Sequence, residues 1–375
     1  QGNLWIGTES KGLNRFNPDT GIFTLFLPEP TDPYSLTSNY VVRIYEDDQK
    51  ILWFATYGGG INKFDPLSNR FEHYFHDDNN PSSISDNRIN AFFEDDTGMI
   101  WVGTDTGGLN RFDPTEKTFT RYPYVDGDLP MQTDPERLST DTVTSIAQDN
   151  DGNLWLGTWN GGLDKFNIAD ETFTYYLADE TNPEALQTNT IFSLFHDQEE
   201  EALWVGTVSY GLSKLDLATE TFTHYLADEN NPNSLSDNAI SSIYKDDDGI
   251  LWLTTRNGLT RFDPVNETFK KYLPDEQDRT KLSHNYAWRI EEDQQGDLWI
   301  STRGGGLNKF DRATETFTRY QRGDGLPSNT VYGVHEDENG YLWLSTANGL
   351  SKFDPASETF INYDVKDGLQ ANEFG

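Results

Sequence analysis

The 375-residue sequence contains no cysteine and no run of 18 apolar residues. Without cysteine there is no disulfide framework, so the fold must rest on a hydrophobic core, which a chain of this length can supply. The absence of a long apolar run excludes a transmembrane helix. The first residues also lack the charged and apolar regions of a signal peptide, so we expect none in this sequence.

Basic residues are scarce relative to acidic ones. The chain has 28 Lys and Arg against 63 Asp and Glu, a formal net charge of −35. Such a surface repels the phosphates of nucleic acids and of anionic membranes, so we expect neither as a partner. Aromatic residues make up 14% of the chain, which is typical of a folded domain rather than a disordered acidic tail.

The motifs of common catalytic and metal sites are also missing. There is no G-x-S-x-G nucleophile turn and no H-E-x-x-H zinc motif. The glycines at 161–162 lead into a further strand rather than a helix, which excludes a phosphate-binding loop. The stretch DNDGN (149–153) starts like a calcium loop, but Asn160 stands where the bidentate Glu is required. We therefore predict no metal, no cofactor and no enzyme, with a polysaccharide lyase or hydrolase as an alternative because carboxylates are abundant.

The sequence instead repeats one short motif eight times. Each copy is a variant of LWxGT, such as LWIGT at 4–8 or LWLST at 342–346. Neighbouring copies lie 44 to 54 residues apart, and a regular repeat of this length indicates a repeat architecture. The tryptophans of the motif are Trp5, Trp53, Trp101, Trp155, Trp204, Trp252, Trp299 and Trp343.

Each repeat contains four short runs rich in Val, Ile, Thr and aromatic residues, bounded by Gly, Asp, Asn or Pro, which is the pattern of β-strands. We name them a (as in 142–149), b (the LWxGT run), c (as in 162–167) and d (as in 172–176). Asp and Gly between a and b predict tight turns, and Gly between b and c supplies positive φ. Four strands in a repeat of this length are typical of a propeller blade. We predict one all-β domain over 1–375, a β-propeller of four-stranded antiparallel blades.

The number of blades follows from counting the strands. Strands b, c and d occur eight times, whereas a complete strand a occurs seven times. The ending DGLQANEFG (367–375) aligns with DGLPSNTVYG (324–333), which leads into a strand a. We therefore expect eight blades, one of them closed by the N- and C-terminal segments, with Asn372–Gly375 starting the inner strand beside residues 4–26. The alternative is a ring of seven blades with an additional end piece.

The combination D-x-x-G-x-L-W-x-G-T, G-G-L-N-R-F-D and F-T-x-Y, as at 95–122 and 149–176, resembles the two-component regulator propeller repeat. The resemblance covers essentially the whole chain. It implies the sensor region of a bacterial hybrid two-component system, located in the periplasm or outside the cell and responsive to glycan fragments. In a longer chain a β-sandwich and a histidine kinase would follow. Because a fold hosts many functions, the resemblance implies the fold more strongly than the ligand.

Candidate ligand-binding residues are those that depart from the repeat on one face. In a propeller, the b–c turns and the d–a loops share a face around the central channel. Aromatic rings stack on sugars, and Arg binds carboxylates or sulfates through two parallel hydrogen bonds. The alternative is that these large side chains plug the channel or pack under the loops. The candidates are Trp159, Trp288, Tyr57, Tyr210, Arg43, Arg88, Arg256, Arg289, Arg303 and Tyr332, with Tyr40 and Tyr286 beside them.

We thus expect a non-catalytic sensor propeller that binds an oligosaccharide or another small ligand on this face. A structural scaffold for a protein partner is the first alternative, and a carbohydrate-active enzyme is the second.

Overall fold

The computed structural model describes residues 2–8, 10–124 and 135–369. These residues form 31 β-strands in eight antiparallel sheets, each a blade whose strands are neighbours both in sequence and in space. Consecutive blades contact one another, and the ring of Phe16 in blade 1 meets Trp343 of blade 8 at a centroid distance of 5.2 Å. The prediction of an eight-bladed β-propeller is therefore confirmed.

The strands follow the predicted order in every blade. Blades 1 to 4 comprise β1 (Leu4–Gly7), β2 (Leu13–Asn17), β3 (Ile22–Phe26); β4 (Val41–Glu46), β5 (Leu52–Thr56), β6 (Gly60–Asp65), β7 (Arg70–Tyr74); β8 (Ile89–Glu94), β9 (Ile100–Thr104), β10 (Leu109–Asp113), β11 (Thr118–Tyr122); and β12 (Val143–Gln148), β13 (Leu154–Thr158), β14 (Leu163–Asn167), β15 (Thr172–Tyr176). Blades 5 to 8 comprise β16 (Ile191–Asp197), β17 (Ala202–Thr207), β18 (Leu212–Asp216), β19 (Thr221–Tyr225); β20 (Ile240–Lys245), β21 (Leu251–Thr255), β22 (Gly258–Asp263), β23 (Thr268–Tyr272); β24 (Ala287–Glu292), β25 (Leu298–Thr302), β26 (Gly306–Asp311), β27 (Thr316–Tyr320); and β28 (Val331–Glu336), β29 (Leu342–Thr346), β30 (Gly349–Asp354), β31 (Thr359–Tyr363).

Burial follows the position of each strand within its blade. All five residues of strand β9 are buried, because a neighbouring blade covers each of its faces. Strand d is covered less completely, and in β11 Thr118 and Thr120 are exposed. Strand b is thus apolar throughout because both of its faces are covered, and strand d alternates because one of its faces is open to solvent.

The repeated tryptophans lie between blades. The indole of Trp101 in blade 3 meets the ring of Phe166 in blade 4 edge-on, at a centroid distance of 5.6 Å. The same pair recurs around the ring, from Trp53 with Phe112 at 5.3 Å to Trp299 with Phe353 at 5.6 Å. An edge-to-face pair of this kind adds about 0.5–1.5 kcal/mol to the burial of its rings. Each tryptophan therefore joins its own blade to the next.

An acid at the end of strand a holds most of these indoles in place. The indole nitrogen of Trp101 donates to the Asp95 carboxylate at 2.7 Å, and that of Trp155 donates to Asp149 at 2.8 Å. Six blades contain this bond, in each case with six residues from acid to tryptophan. In blade 5 the interval from Asp197 to Trp204 is seven residues, and no acceptor lies within bonding distance of the Trp204 indole nitrogen among the described residues.

Blade 1 has three described strands, ordered β1-β2-β3. They belong to the ring, because Trp5 contacts Phe64 of blade 2 at 4.6 Å while Phe16 contacts blade 8. The alternative of seven blades with an end piece is therefore wrong. The expected contribution of Asn372–Gly375 to this blade lies outside the described residues.

One buried polar position departs from the repeat in blade 4. The residue that follows the first Leu or Ile of strand c is Asn62 in blade 2 and Asn110 in blade 3, and each side-chain oxygen accepts the amide hydrogen of a loop residue. In blade 4 this residue is Asp164, which is fully buried and accepts the Ser139 amide at 2.9 Å. Burial raises the pKa of Asp164 to about 7, against the hydrogen bond from Ser139.

The first prediction compares two equivalent tryptophans. Trp101→Phe removes an indole N–H that bonds a buried acid, whereas Trp204→Phe removes one that has no acceptor. Both variants lose similar packing, so we expect the Trp101 variant to lose about 1–3 kcal/mol more free energy of unfolding. Chemical denaturation followed by circular dichroism measures the difference. Equal losses in the two variants would show that the hydrogen bond between Trp101 and Asp95 does not stabilise the fold.

The second prediction concerns Asp164. The folded protein keeps a proton on this carboxyl up to about pH 7, whereas the unfolded chain releases it near the ordinary pKa of 3.8. The free energy of unfolding therefore falls as the pH rises between these values, by up to about 4 kcal/mol. Asp164→Asn abolishes this loss, so its stabilising effect should grow from pH 4 and level off above pH 7. Asn110→Asp is the matched control and should introduce the same loss in blade 3.

Candidate functional site

The b–c turns and the d–a loops lie on one face of the ring, as expected. In blade 2 the Tyr57 amide donates to the Tyr40 carbonyl at 2.8 Å. In blade 7 the Arg303 amide donates to the Tyr286 carbonyl at 3.0 Å. These bonds tie each b–c turn to the loop that enters strand a of the same blade. We call this side of the ring the upper face.

The scaffold also determines where the second residue of strand a points. In each of the seven described strands a the register with strand b shifts at this residue, which marks a β-bulge. A bulge redirects a side chain and increases the local twist. Trp288 of blade 7 and Tyr332 of blade 8 both occupy the bulge position, so the same local geometry presents two rings on neighbouring blades.

Arg303 lies among these rings. Its guanidinium carbon is 3.8 Å from the ring centroid of Trp288, 5.3 Å from that of Tyr286 and 5.6 Å from that of Tyr332. Trp288 and Tyr286 meet edge-on at 5.6 Å. A guanidinium over an indole face is held by a cation–π attraction of about 0.5–2 kcal/mol. We call Arg303, Trp288, Tyr286 and Tyr332 the upper-face cluster.

Two further cations lie close to this cluster. The Arg289 guanidinium carbon is 5.9 Å from the Trp288 ring centroid. Burial lowers the pKa of Arg289, and the positive charge of Arg43 lowers it further, although the two residues belong to blades 7 and 2. Burial also lowers the pKa of Arg43. Arg43 and Arg289 nevertheless remain exposed to solvent.

These three arginines carry charge that no acid neutralises. Within 2–8, 10–124 and 135–369, none of Arg43, Arg289 and Arg303 forms a salt bridge. The Arg43 side chain donates once, to the Asn90 carbonyl at 3.2 Å, and the Arg303 Nε is buried with no acceptor within reach. In a chain of net charge −35, unpaired cations beside aromatic rings reverse the sign of the charge locally, and guanidinium groups of this kind are suited to bidentate hydrogen bonds with anions.

Arg88 differs from these three arginines, since acids surround it. Its guanidinium contacts Asp86 at 3.2 Å and Asp105 at 2.8 Å, which satisfies the charge within blade 3. The rings of Tyr57 and Tyr40 contact each other at a centroid distance of 5.4 Å, tilted by 36°. These residues form a second polar and aromatic group on the upper face, without a free cation.

The remaining candidates are separated from the upper-face cluster. Trp159, Tyr210 and Arg256 lie on the b–c turns of blades 4, 5 and 6, and all three are exposed, Trp159 to 46%. No ring or cation contact joins Trp159 to another candidate within the described ranges. The structure therefore brings Trp288, Arg303, Arg289, Tyr332 and Arg43 together and leaves these three apart.

One residue near the cluster was missed by sequence reasoning. The imidazole of His284 lies against Gly304, where an added Cβ would be 3.0 Å from its Nε2. Its Nδ1 accepts the Tyr286 amide at 3.1 Å, so it supports the same loop. The sequence pattern could have indicated His284, because it departs from the repeat at the entrance to strand a as the candidate residues do.

In the acidic turn that starts like a calcium loop, the Asp149 carboxylate accepts hydrogen bonds from the protein itself. The Asp149 Oδ1 accepts the amides of Asp151 at 3.0 Å and Asn153 at 2.8 Å, while its Oδ2 accepts the Trp155 indole. Among the described residues, no group of three or more His, Cys, Asp or Glu side chains is placed to hold a metal ion. In the same ranges, no helix has the length and apolarity needed to cross a membrane.

Comparison with known families finds a match to six of the repeats. The model of the family described as two component regulator propeller matches residues 35–58, 83–106, 137–160, 234–257, 281–304 and 325–348. Each match runs from the loop before strand a to the b–c turn, in blades 2, 3, 4, 6, 7 and 8. Blade 5 is not among them, and it carries the additional residue between Asp197 and Trp204.

Solved structures share the fold at low identity. The chain is similar to PorZ, a surface component of the type-IX secretion system of Porphyromonas gingivalis, at 17% identity and TM-score 0.59, over 92% of this chain and 50% of that one. It is similar to virginiamycin B lyase of Staphylococcus aureus at 13% identity and TM-score 0.54, over 82% and 91%. The extracellular domain of a protein named as a hybrid two component system of B. thetaiotaomicron aligns at 19% identity and TM-score 0.49, over 100% and 70%.

At these identities the likeness to PorZ and to virginiamycin B lyase concerns the fold alone, and this chain spans half of the PorZ chain. No curated protein sequence matches this chain significantly.

The third prediction separates scaffold from candidate in one turn of blade 4. Trp155 is 1% exposed and packs between blades 4 and 5, so Trp155→Ala should cost about 3–5 kcal/mol of unfolding free energy. Trp159, four residues later, is largely exposed, so Trp159→Ala should change stability by less than about 0.5 kcal/mol. Thermal unfolding of both variants checks this, and a large loss in the Trp159 variant would make that residue structural.

Proposed function

We propose that the chain is the ligand-binding propeller of a sensor protein, because the two component regulator propeller model matches it in six of its eight blades. We propose further that its ligand is an oligosaccharide carrying a carboxylate or a sulfate, bound at the upper-face cluster. One observation carries this choice of site: Arg303 lies on the indole of Trp288 without an acidic partner, beside two further unpaired arginines.

The chemistry of the cluster matches such a ligand. The rings of Trp288, Tyr286 and Tyr332 offer apolar faces on which a sugar ring can stack. The guanidinium groups can bind a planar carboxylate through two parallel hydrogen bonds, in a position where protein atoms strengthen the electrostatic attraction. Neutral sugars would use only the rings, so the site should prefer uronic acids or sulfated sugars.

The proposal includes the setting of the propeller. We propose that it works outside the cytoplasm, in the periplasm or at the cell exterior, and that it binds its ligand without cleaving it. In a longer chain, a β-sandwich and a histidine kinase would receive the signal. The family of the repeat supports this setting.

The fourth prediction tests the ligand class. In isothermal titration calorimetry, oligosaccharides of glucuronic or galacturonic acid should bind, and neutral oligosaccharides of equal length should bind more weakly. Arg303→Gln should weaken binding of the acidic ligands at least tenfold, because a charged hydrogen bond contributes about 1.5–3 kcal/mol. Trp288→Ala should weaken the binding of acidic and of neutral oligosaccharides by a similar factor.

Arg70→Gln is the matched control, since Arg70 lies on the edge strand β7 of blade 2, where its guanidinium contacts the ring of Tyr34, and this variant should bind as the wild type does. Absence of binding to acidic and neutral oligosaccharides alike would overturn the proposal. New reducing ends or unsaturated uronic acids in the titrated sample would show an enzyme instead.

A further inference from the structure

The loop that joins blade 5 to blade 6 gathers three oxygen atoms around one cation. The Ser234 hydroxyl lies 3.0 Å from the Asp228 carbonyl oxygen and 2.9 Å from that of Asn231. Lys271 stands fourth in strand d of blade 6, and its ammonium donates to both carbonyls at 3.0 Å and to the Ser234 hydroxyl at 2.8 Å. We call such a set, two carbonyl oxygens and one hydroxyl from residues spaced three apart, an oxygen triad.

Arginines donate to the same carbonyls in two other loops. Between blades 2 and 3, the Arg121 Nη2 donates to the Asn80 carbonyl at 2.9 Å and to the Ser83 hydroxyl at 2.5 Å, while its Nε donates to the Ser83 carbonyl at 2.6 Å. Between blades 6 and 7, the Arg319 Nη2 donates to two carbonyls at 2.6 and 2.7 Å, and its Nε donates to a third at 2.8 Å. Each arginine stands fourth in strand d, as the lysine of blade 6 does.

A glutamine supplies the donor in the loop between blades 4 and 5. The fourth residue of strand d is His224, whose Nε2 lies 2.8 Å from the Ala185 carbonyl oxygen, where the arginines use their Nε. The imidazole extends no further. Gln187 of the loop itself donates from its side-chain nitrogen to the Asn182 carbonyl at 3.0 Å and to the Ala185 carbonyl at 2.8 Å. Four loops thus bring a side-chain nitrogen of the protein to these carbonyls.

The loop between blades 1 and 2 has an oxygen triad without such a donor. The Ser35 hydroxyl lies 3.2 Å from the Glu29 carbonyl oxygen and 3.0 Å from that of Asp32. His73 stands fourth in strand d and bonds the Ser35 carbonyl at 2.6 Å, as His224 bonds its own loop. In the part of the chain that the structure describes, no side-chain nitrogen bonds the Glu29 or the Asp32 carbonyl.

The side chains nearest to this triad are engaged elsewhere. Thr37 stands at the position of Gln187, but its hydroxyl accepts the side-chain amide of Asn62 at 2.7 Å. The Arg70 guanidinium carbon lies 4.5 Å from the ring centroid of Tyr34, and among the described residues it forms no hydrogen bond with the loop. This loop therefore differs from the four others in lacking the nitrogen donor.

The carbonyls of this triad keep the capacity that a cation uses in the other loops. Each carbonyl oxygen has two lone pairs. One accepts a backbone amide, since the Asp32 amide donates to the Glu29 carbonyl at 2.9 Å and the Ser35 amide donates to the Asp32 carbonyl at 3.2 Å. Between blades 2 and 3, the Asn80 carbonyl accepts the equivalent amide and Arg121 as well. The second lone pair is therefore open to a positive group, and two carboxylates of the same turn add negative charge beside it.

The spacing of the oxygens indicates the kind of cation. In blade 6 the triad surrounds an ammonium nitrogen at 2.8–3.0 Å. Ca²⁺ takes six to eight oxygens at about 2.3–2.6 Å, which three oxygens at this spacing do not supply. Backbone carbonyls bind K⁺ by replacing its hydration shell, and K⁺ is close to ammonium in size.

We propose that the oxygen triad of Glu29, Asp32 and Ser35 binds a monovalent cation of ammonium size, K⁺ or NH₄⁺, at the place that the Lys271 ammonium takes in blade 6. Bound there, the ion holds the loop between blades 1 and 2 as a side chain holds each of the four other loops. The site is separate from the upper-face cluster and does not depend on its ligand.

The fifth prediction compares salts on the unaltered chain. At equal ionic strength, potassium and ammonium chloride should raise the unfolding temperature by about 1–3 °C above that in choline chloride, whose cation is too large for the triad. Sodium chloride should raise it less, because the smaller ion holds its water more tightly. Differential scanning fluorimetry in mixtures of potassium and choline chloride should show a shift that saturates. The larger of the potassium and ammonium shifts identifies the preferred ion.

Two reciprocal substitutions assign the effect to this loop. His73→Lys supplies the ammonium that Lys271 supplies in blade 6, so the difference between potassium and choline chloride should disappear. Lys271→His removes that ammonium, so the same difference should become larger than in the wild type, because a second triad then accepts the ion. The two variants move the salt difference in opposite directions, so a loss of stability common to both does not decide the result.

Three outcomes would overturn the proposal. The first is an equal unfolding temperature of the wild type in potassium, ammonium and choline chloride. The second is a sodium shift as large as the potassium shift, which would indicate a general effect of small cations on an acidic protein. The third is a potassium shift that persists unchanged in His73→Lys, which would place the ion elsewhere in the protein.

Discussion

The ring depends on one side chain in each repeat, the tryptophan of strand b. In seven blades its indole packs edge-on against an aromatic ring of the next blade, as Trp252 does against Phe310 at 5.1 Å, and in six blades its nitrogen bonds an acid of its own blade. The first contact joins blades, and the second fixes the orientation of the indole. Since a flat sheet buries little by itself, the blades are stable only when each covers its neighbours, and the tryptophan is the largest side chain at that interface.

This arrangement explains which departures from the repeat are tolerated. Blade 5 has one additional residue in its acidic turn, and the Trp204–Asp197 bond is absent, yet Trp204 stays fully buried against Phe262. Lys245 of blade 6 takes the place of the indole as a partner of Asp197, at 2.7 Å. Packing between blades therefore survives the loss of the hydrogen bond, as expected when the buried area exceeds one polar contact in weight.

The upper face follows a different rule. The scaffold requires an extended turn there and a bulge at the second residue of strand a, but it does not require a particular side chain at either place. Blades 7 and 8 fill these places with Trp288, Tyr332 and Arg303, whereas blade 6 has Ser241 at the bulge and Arg256 at the turn.

The sequence by itself determined the architecture, because the same local signals occur eight times. The spacing of the tryptophans, the turn glycines and the strand patterns each concern residues a few positions apart, where local geometry decides the result. The left-handed backbone of Gly162, with φ of +84° and the Tyr176 carbonyl where a Cβ would stand, is one such local requirement. The candidate residues of the upper face were also recognisable as departures from the repeat.

Only the tertiary structure decided which of these residues meet. Trp159 and Trp288 were equivalent in the sequence, since each is a tryptophan outside the repeat, but Trp288 joins Arg303 at the bulge of blade 7 while Trp159 stands alone on blade 4. Arg43 and Arg289 lie 246 positions apart, and the closed ring brings their charges close enough to lower a pKa. The bond between Asp95 and Trp101 was likewise not expected, although the acid had been recognised as a turn former. Contacts of this kind depend on side-chain direction and on ring closure, which a pattern of residue types along one chain does not contain.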